Sequence, residues 1–394
     1  MNLYILLTHK KNEMRFLVKK IALKVPILKK AYRDYLINSN RIESKKNHTE
    51  FLKIAEGVYL NEKNDTSKLL VGLVKDHATI ENEIPGYVLK INSYMKYERF
   101  LKNNHIRYEY YDIYKNDWIE KAKRFNIIIW HTNSTPAEIY IAESKIYILE
   151  KVLHIHCFPS FHEIWQYEDK NRSAYLYETL LIPSIPTFVS HSKKESLLYA
   201  KNVNYPVILK TFIGASSSGV VMVKNKHSLN KHIHKAFGHR GCKTIFPYFR
   251  LKNTVYIQKF IADATFDLRI IIVGEKLFGY YRYPPKGDFR ASGAGIYEKK
   301  ELPDEAMRLA VSIKKKLASR LLGIDLLYSQ KSLQYYVIET SLFNQIDTAE
   351  QLVINGVPGY YDISNDEIVF KEGRYWIQEL VLQLVIEQWY SDMK

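Results

Sequence analysis

Cysteine is almost missing from this 394-residue chain, which has only Cys157 and Cys242. Two thiols are too few for a disulfide scaffold or a four-thiolate zinc site, so a reducing compartment is expected. Nor is there an apolar run near the roughly 18 residues that a membrane-spanning helix needs. Met1 to Lys11 carries apolar Leu3 to Leu7 and then meets charge, without the length or the small-residue cleavage site of a signal peptide. A cytoplasmic home is the expectation. There are no internal repeats and no low-complexity tracts, and with 46% hydrophobic and 25% charged residues the composition excludes disorder over most of the length. At roughly 100 to 200 residues per domain, two or three domains are expected.

Acidic residues are in deficit, 42 Asp+Glu against 58 Lys+Arg, which leaves +16. Such a balance favours an acidic partner, whether nucleotide, nucleic acid, anionic glycan or anionic lipid. Residues 1–66 hold 14 Lys+Arg and 7 Asp+Glu. Within them Met14, Leu17, Val18, Ile21, Val25, Leu28 and Tyr32 recur at helical spacing while the basic residues fall largely elsewhere on the wheel, with Pro26 placed to kink the helix. This predicts a basic amphipathic arm. Two readings stay open: an arm lying on a polyanion or on the inner face of a membrane, or a helix packed on its own protein with a solvated basic face.

From Lys68 the pattern alternates. Leu69 to Val74 reads as a strand, Ile91 to Lys102 as a helix, Ile106 to Ile113 as a strand, Asp117 to Phe125 as a helix, and Asn126 to Trp130 as a buried strand; a helix near Ala137 to Leu153 follows. Such alternation implies a small parallel α/β layer. Beyond Pro159, Pro183 and Pro186, from about Asn204, paired strands with Gly-containing turns are expected, broken by a helix from Asp304 to Leu322 and closed by one from Arg374 to Tyr390. The expected organisation is an arm over 1–66, an α/β domain over 67–157 and a larger α+β domain over 158–394.

Three stretches carry charge where chemistry would need it. Val207 to Lys210 is followed by Gly214-Ala215-Ser216-Ser217-Ser218-Gly219 and a returning strand, Val220 to Val223. Backbone N–H groups of such a loop can approach phosphate oxygens, and Lys210 supplies a point charge. A strand rather than a helix follows and the Gly-Lys-Ser/Thr ending is absent, so this is not a Walker loop; an ordinary hairpin turn is the alternative. Next, Asp267-Leu268-Arg269 and Leu277 to Tyr283 flank a tight hairpin opened by Gly274, and whether its loop is Gly274-Glu275, which suits a type II' turn, or Glu275-Lys276, the pairing puts Arg269 and Arg282 on one face. An anion between the two guanidiniums, or Asp267 paired with one of them, would relieve their repulsion. Third, if Tyr328 pairs with Tyr336, then Asp325 of Gly323 to Tyr328 lies opposite Glu339 of Gln334 to Thr340, with Cβ atoms ~5 Å apart. In an apolar setting a divalent cation, magnesium foremost, or a pair of arginines must offset two such carboxylates. Gly287 to Gly295, with Arg290 in its middle, has the composition of a loop that closes over a ligand.

In this order the stretches resemble the ATP-grasp superfamily, especially its RimK/glutathione-synthetase-like branch. The resemblance runs from Phe158 to Tyr361 and is carried by Tyr167-Glu168-Asp169-Lys170, Val207 to Gly219, Tyr256 to Ile261, Asp267 to Arg269, Tyr281-Arg282, Gly287 to Gly295, Gly323 to Leu327 and Val337 to Ser341. It implies an ATP-grasp fold of two α+β subdomains enclosing ATP, behind a small α/β domain whose strand ending at His131 serves the acceptor. It also implies that Lys170 and Lys210 contact phosphates, that Gly214, Ser216, Ser217, Ser218 and Gly219 cover them, and that Gln258, Lys259, Phe260 and Ile261 hold adenine through backbone groups. Asp325 and Glu339 would bind Mg2+, with Ser341 where the family has asparagine and Asn344 nearby. Arg269, Arg282 and Arg290 would face the transferred phosphoryl group or the acceptor carboxylate. The implied activity is ATP-dependent joining of a carboxylate to an amine or thiol through an acyl phosphate; the basic arm, separately, suggests a bacterial surface glycan or peptide as acceptor. The competing readings are an ATP-grasp kinase acting on a hydroxyl, and a basic polyanion-binding protein with a vestigial nucleotide site.

Overall fold

The structure is a computed structural model that describes residues 52–61, 66–75, 93–213, 219–246, 248–343 and 348–393. The amphipathic stretch from Met14 to Tyr32 lies outside them.

The first layer alternates as its periodicity requires: β1 (Leu70–Leu73), α1 (Ser93–Asn103), β2 (Arg107–Tyr110), α2 (Trp118–Ala122), β3 (Ile127–Ile129), α3 (Pro136–Tyr147) and β4 (His156–Phe158). All four strands are parallel, in the order β2-β1-β3-β4. Ile127, Ile128 and Ile129 are buried on both faces, as a central parallel strand demands. The expected strand to Ile113 keeps its ladder only through Tyr110. The helix expected from Ala137 to Leu153 begins at Pro136 behind the Thr135 cap and is α-helical to Tyr147, after which Ile148–Val152 widens into a π turn.

A smaller unit follows: α4 (Phe161–Gln166), α5 (Lys170–Thr179), β5 (Thr187–Ser190), α6 (Lys193–Asn202), β6 (Val207–Leu209), β7 (Val221–Val223), α7 (Lys226–Ala236), the ribbon β8 (Cys242–Lys243) and β9 (Arg250–Leu251), and β10 (Val255–Lys259). Its antiparallel sheet runs β5-β10-β6-β7. The helix α7 corrects the expectation of strands alone in this region. Asn225 caps it by accepting from the Ser228 N–H, and Leu229, Ile233 and Ala236 bury one face against Val207, Leu209 and Ile257.

The third unit holds β11 (Asp267–Val273), β12 (Lys276–Arg282), β13 (Tyr297–Glu298), α8 (Asp304–Leu317), β14 (Leu321–Ser329), β15 (Gln334–Ser341), β16 (Val353–Ile354), β17 (Val357–Asp362), β18 (Val369–Glu372) and α9 (Ile377–Asp392). The main strand order is β15-β14-β11-β12-β17-β16. Val273 pairs with Lys276, so of the two loop placements the sequence allows the structure has Gly274-Glu275, and Gly274 supplies the positive φ that such a turn needs. The helix expected to reach Leu322 stops at Leu317, because Ala318 turns left-handed and Leu321 and Leu322 pair with Val273 and Ile272 instead. No described helix is long and apolar enough to cross a membrane.

Buried ion pairs tie α4 and the first layer to the third unit. Arg320, just before β14, donates to both oxygens of the buried Glu163 of α4 and to the Cys157 carbonyl. Arg99 of α1 grips Glu379 of α9 with two donors. The described part of the expected arm, 52–61, lies on its own protein: the Glu56 N–H donates to the Arg374 carbonyl and the Trp376 indole to the Leu52 carbonyl.

Candidate functional site

One face of the large sheet gathers the charges. Arg269 on β11 lies opposite Asp325 on β14, which lies opposite Glu339 on β15, and Asp267 lies opposite Arg282 on β12. The pairing of Asp325 with Glu339 was expected, but its register was not. Tyr328 pairs with Tyr335 rather than Tyr336, and a bulge at Ile338, beside the Asp325/Leu326 step, restores the opposition of the two acids.

These side chains form a buried cluster. Arg269 donates through Nε and Nη2 to the two Asp325 oxygens, both at 2.7 Å, and Arg282 Nη2 lies 2.6 Å from Asp325 Oδ2. Arg282 Nε donates to Asp267. Both proposed reliefs, an acid neutralised by arginine and an arginine by Asp267, are therefore realised together. Burial alone would raise the Asp325 carboxyl, but Arg269 and Arg282 outweigh it and hold the group well below the usual carboxylate range. Asp267, with Arg282 as its close cation, is instead pushed up by burial.

Two lysines approach from the smaller unit. Lys170 is the first residue of α5, whose Asp169 cap accepts from the Asn171 and Arg172 N–H groups. Its own N–H donates to the Phe212 carbonyl, and its ammonium lies 3.5 Å from Glu339 Oε2. Burial works against the Lys170 charge, but Glu339 and Glu168 together raise its pKa. Lys210 follows β6, anchored by its N–H to the Tyr256 carbonyl. Burial brings its ammonium down to about 8, against the pull of Glu339 and with added repulsion from Lys170.

Between these groups lies a cleft of about 320 Å³, within the range of ligand sites. Ile208, Val220 and Ile185 form apolar walls on one side, Leu327 and Ile338 on the other, and Lys170, Lys210, Arg282, Asp325 and Glu339 converge at its polar part. The Gln258, Lys259, Phe260 and Ile261 segment lines it. Gln258 turns its amide inward to the Thr187 hydroxyl (3.0 Å), and the Lys259 N–H donates to the Pro186 carbonyl (2.9 Å), so these groups hold the segment in place. Arg290 lines the cleft from its loop while Asp288 accepts from its Nε and Nη2 at 3.0 and 2.8 Å. Phe289 of the same loop packs edge-on against Phe260.

Of the glycine-serine loop, Gly214, Ser216, Ser217 and Ser218 lie outside the described residues. Gly219 closes its base: its carbonyl accepts from the Thr211 N–H, its φ is positive, and a Cβ there would meet Thr211 Oγ1 at 2.3 Å. Ser341 is not brought into the cleft lining; its hydroxyl donates to the Phe343 carbonyl at 3.0 Å. Asn344 lies outside the described residues. His131 packs on Phe343, centroids 4.2 Å apart, and accepts or donates at Nδ1 with the Tyr97 hydroxyl. Burial lowers its imidazole pKa to about 3, so it is neutral. The residue that sequence reasoning quoted without assigning is Glu168. It has a left-handed φ of 56° and a carboxyl raised by burial, opposed by Lys170 and reinforced by Glu339. Its signal was an acid two residues before a buried lysine.

Two α+β sheets with a cation-lined cleft between them define an ATP-grasp fold. Residues 167–355 match the RimK-like ATP-grasp domain. It is 28% identical over 198 residues to the alpha-aminoadipate--LysW ligase LysX of Saccharolobus solfataricus, covering 49% of this chain and 62% of that protein. To the tetrahydromethanopterin:alpha-L-glutamate ligase of Methanococcus maripaludis it is 23% identical over 196 residues, 47% of this chain and 63% of the relative. The chain thus spans less than two thirds of the length of these curated relatives. D-alanyl-alanine synthetase A of Vibrio cholerae shares the fold, with a TM-score of 0.53 at 14% identity over 83% of this chain and 100% of that one.

Proposed function

We propose that the chain is an ATP-dependent ligase that joins a carboxylate to an amine through an acyl phosphate. The observation that carries this reading is the Arg269–Asp325–Arg282–Asp267 cluster, of which Asp267, Arg282 and Asp325 line the polar part of a cleft with apolar walls, beside Lys170 and Lys210. Four cations match a triphosphate, and the apolar walls match a base. Asp325 and Glu339 are hard oxygen donors of the kind that hold Mg2+ together with phosphate oxygens, and among the described residues no third acid, cysteine or histidine completes an all-protein cage. When bound there, Mg2+ would supply charge neutralisation on the phosphates.

In the reaction, an oxygen of the substrate carboxylate attacks the γ-phosphorus of ATP, the bond to the bridging oxygen breaks, and ADP leaves. The amine nitrogen then attacks the acyl carbon, gives up a proton, and phosphate departs with the C–O electron pair. Lys170 and Lys210 hold the phosphates in line, Arg269 and Arg282 stabilise the charge that spreads over the transferring group, and Arg290 meets the acceptor carboxylate. The loop carrying Arg290, packed on Phe260, keeps water from the acyl phosphate.

The acceptor we propose is a peptide or a bacterial surface glycan, and the amino-acid ligase names of the relatives support the peptide. Peripheral contact of residues 1–66 with the inner face of a membrane remains part of the proposal through their basic balance. The test is the product ratio with hydroxylamine as trap. A ligase releases ADP and phosphate in equal amounts and yields a hydroxamate, whereas a kinase releases ADP and leaves the phosphoryl group on its acceptor.

A further inference from the structure

Between Glu195 and Asp263 the sequence has no acidic residue, yet it holds nine lysines and two arginines there. This one stretch accounts for +11 of the net +16. It builds most of the smaller sheet, the helix α7 and the β8–β9 ribbon. On that helix and ribbon Lys231, Lys235, Lys243 and Arg250 are exposed, as are Arg240 just before β8 and Lys252 just after β9, and none of them makes an ion pair with a described acid. Some exposed lysines elsewhere have an acid within reach: Lys121 lies 2.6 Å from Asp117, Lys300 2.6 Å from Glu298, and Lys371 2.5 Å from Asp362.

The register sharpens the point. Lys243 pairs directly with Arg250 across the two-stranded ribbon, and the Arg250 guanidinium reaches the Arg240 carbonyl at 3.4 Å. Like charges directly opposite one another destabilise a strand pair, so the fold tolerates a repulsion that an anion would remove. Exposed Ile245 and Tyr248 sit in the loop between the two strands and offer apolar contact beside the charge. The ribbon is also coupled to the cleft. Phe249 packs edge-on against Phe212, centroids 6.0 Å apart, and the Phe212 carbonyl holds the backbone of Lys170.

We infer that the face formed by α7 and the β8–β9 ribbon docks an acidic polypeptide, which brings a reacting group to the cleft. This rests on the ligase reading for the choice of polymer: a cleft that activates carboxylates is served by a chain that bears them. Lysines, which outnumber arginines nine to two in the stretch, suit dispersed point charges. Reading of base edges would favour arginine instead. The other polyanions are outcomes of the test.

The experiment is binding of fluorescent poly-L-glutamate to the full chain, measured by anisotropy over a salt series without nucleotide. Wild-type protein binds and weakens as salt rises. Lys243→Glu with Arg250→Glu weakens binding by about tenfold or more, and Lys231→Glu with Lys235→Glu, on a separate element, does the same. Lys315→Glu, an exposed change on α8, leaves binding as it was. Affinity for an ATP analogue stays at the wild-type value in all three, which verifies folding. The inference is overturned if both double variants bind poly-L-glutamate like wild type, or if duplex DNA or phosphatidylglycerol vesicles bind more tightly than poly-L-glutamate at equal salt. If poly-L-glutamate binds as described but no hydroxamate forms in the trapping assay, the docking surface stands and the ligase reading fails.

Discussion

Arg269 holds both carboxylate oxygens of Asp325, two bonds of 2.7 Å, while the Arg282 guanidinium closes on the same group from the neighbouring strand at 2.6 Å. The acid expected to bind a cation is thus held by two cations of the protein. A metal ion and a phosphate must enter together, since each releases the partner that the other needs: phosphate draws the arginines, and the freed carboxylate receives the metal. Calorimetry is expected to find Mg2+ binding weak in the empty protein and strong with an ATP analogue. Equal affinity in both states would contradict the shared grip.

Asp325→Asn leaves Arg269 and Arg282 facing a neutral amide in a buried site. Breaking a buried pair in this way costs about 3–5 kcal/mol, so thermal or urea unfolding shifts well below wild type and turnover is lost. A variant as stable as wild type would mean that the cluster contributes specificity and no stability.

Lys210 carries a pH dependence with a definite sign. Its ammonium, brought down to about 8 by burial, is charged below that pH and neutral above it in the empty cleft. Nucleotide affinity therefore falls as pH rises through about 8, by up to roughly tenfold per unit. Lys210→Arg, whose charge persists, flattens the profile, and Lys210→Ala lowers turnover by about two orders of magnitude. A Lys210→Arg profile that falls like wild type would assign the titration elsewhere.

Glu163 links α4 to Arg320 at the start of β14. Burial pushes its carboxyl up, but Arg320 and backbone N–H groups outweigh that and hold it below the ordinary value of 4.5. A depressed acid stabilises the fold above its unfolded pKa, and that contribution is lost as pH falls below 4.5 toward the folded value. Melting temperature against pH is expected to drop more steeply for wild type than for Glu163→Gln below that point. Parallel curves would refute the link.

Arg290 is held by Asp288 on a loop at the cleft's edge, away from the central cluster. Arg290→Ala is expected to raise the acceptor KM by about tenfold or more with nucleotide affinity unchanged. Weakened nucleotide binding would move Arg290 to the phosphates.

Most of the site was legible as a series of short local patterns. The shared face of Arg269 and Arg282 was legible because a two-residue turn at Gly274-Glu275 or at Glu275-Lys276 gives pairings of the same parity. The opposition of Asp325 and Glu339 was reached through the wrong partner for Tyr328, and a bulge that no local pattern signalled corrected it. The helix α7 was passed over because its histidines and lysines hide three well-spaced apolar residues. Glu168 was missed because its burial, and the Glu339 and Asp325 charges beside that of the neighbouring Lys170, are set by strands more than a hundred residues away.

The sequence by itself determined the α/β alternation, the strand-borne acids and arginines and their order along the chain, because periodicity and turn chemistry act over a few residues. Which cation neutralises which acid was set by long-range packing. Asp325 faces Arg269 and Arg282 rather than solvent, Arg290 turns to Asp288, and Ser341 satisfies a nearby carbonyl, because burial sets the cost of each unpaired charge and strand packing sets which partners lie within reach.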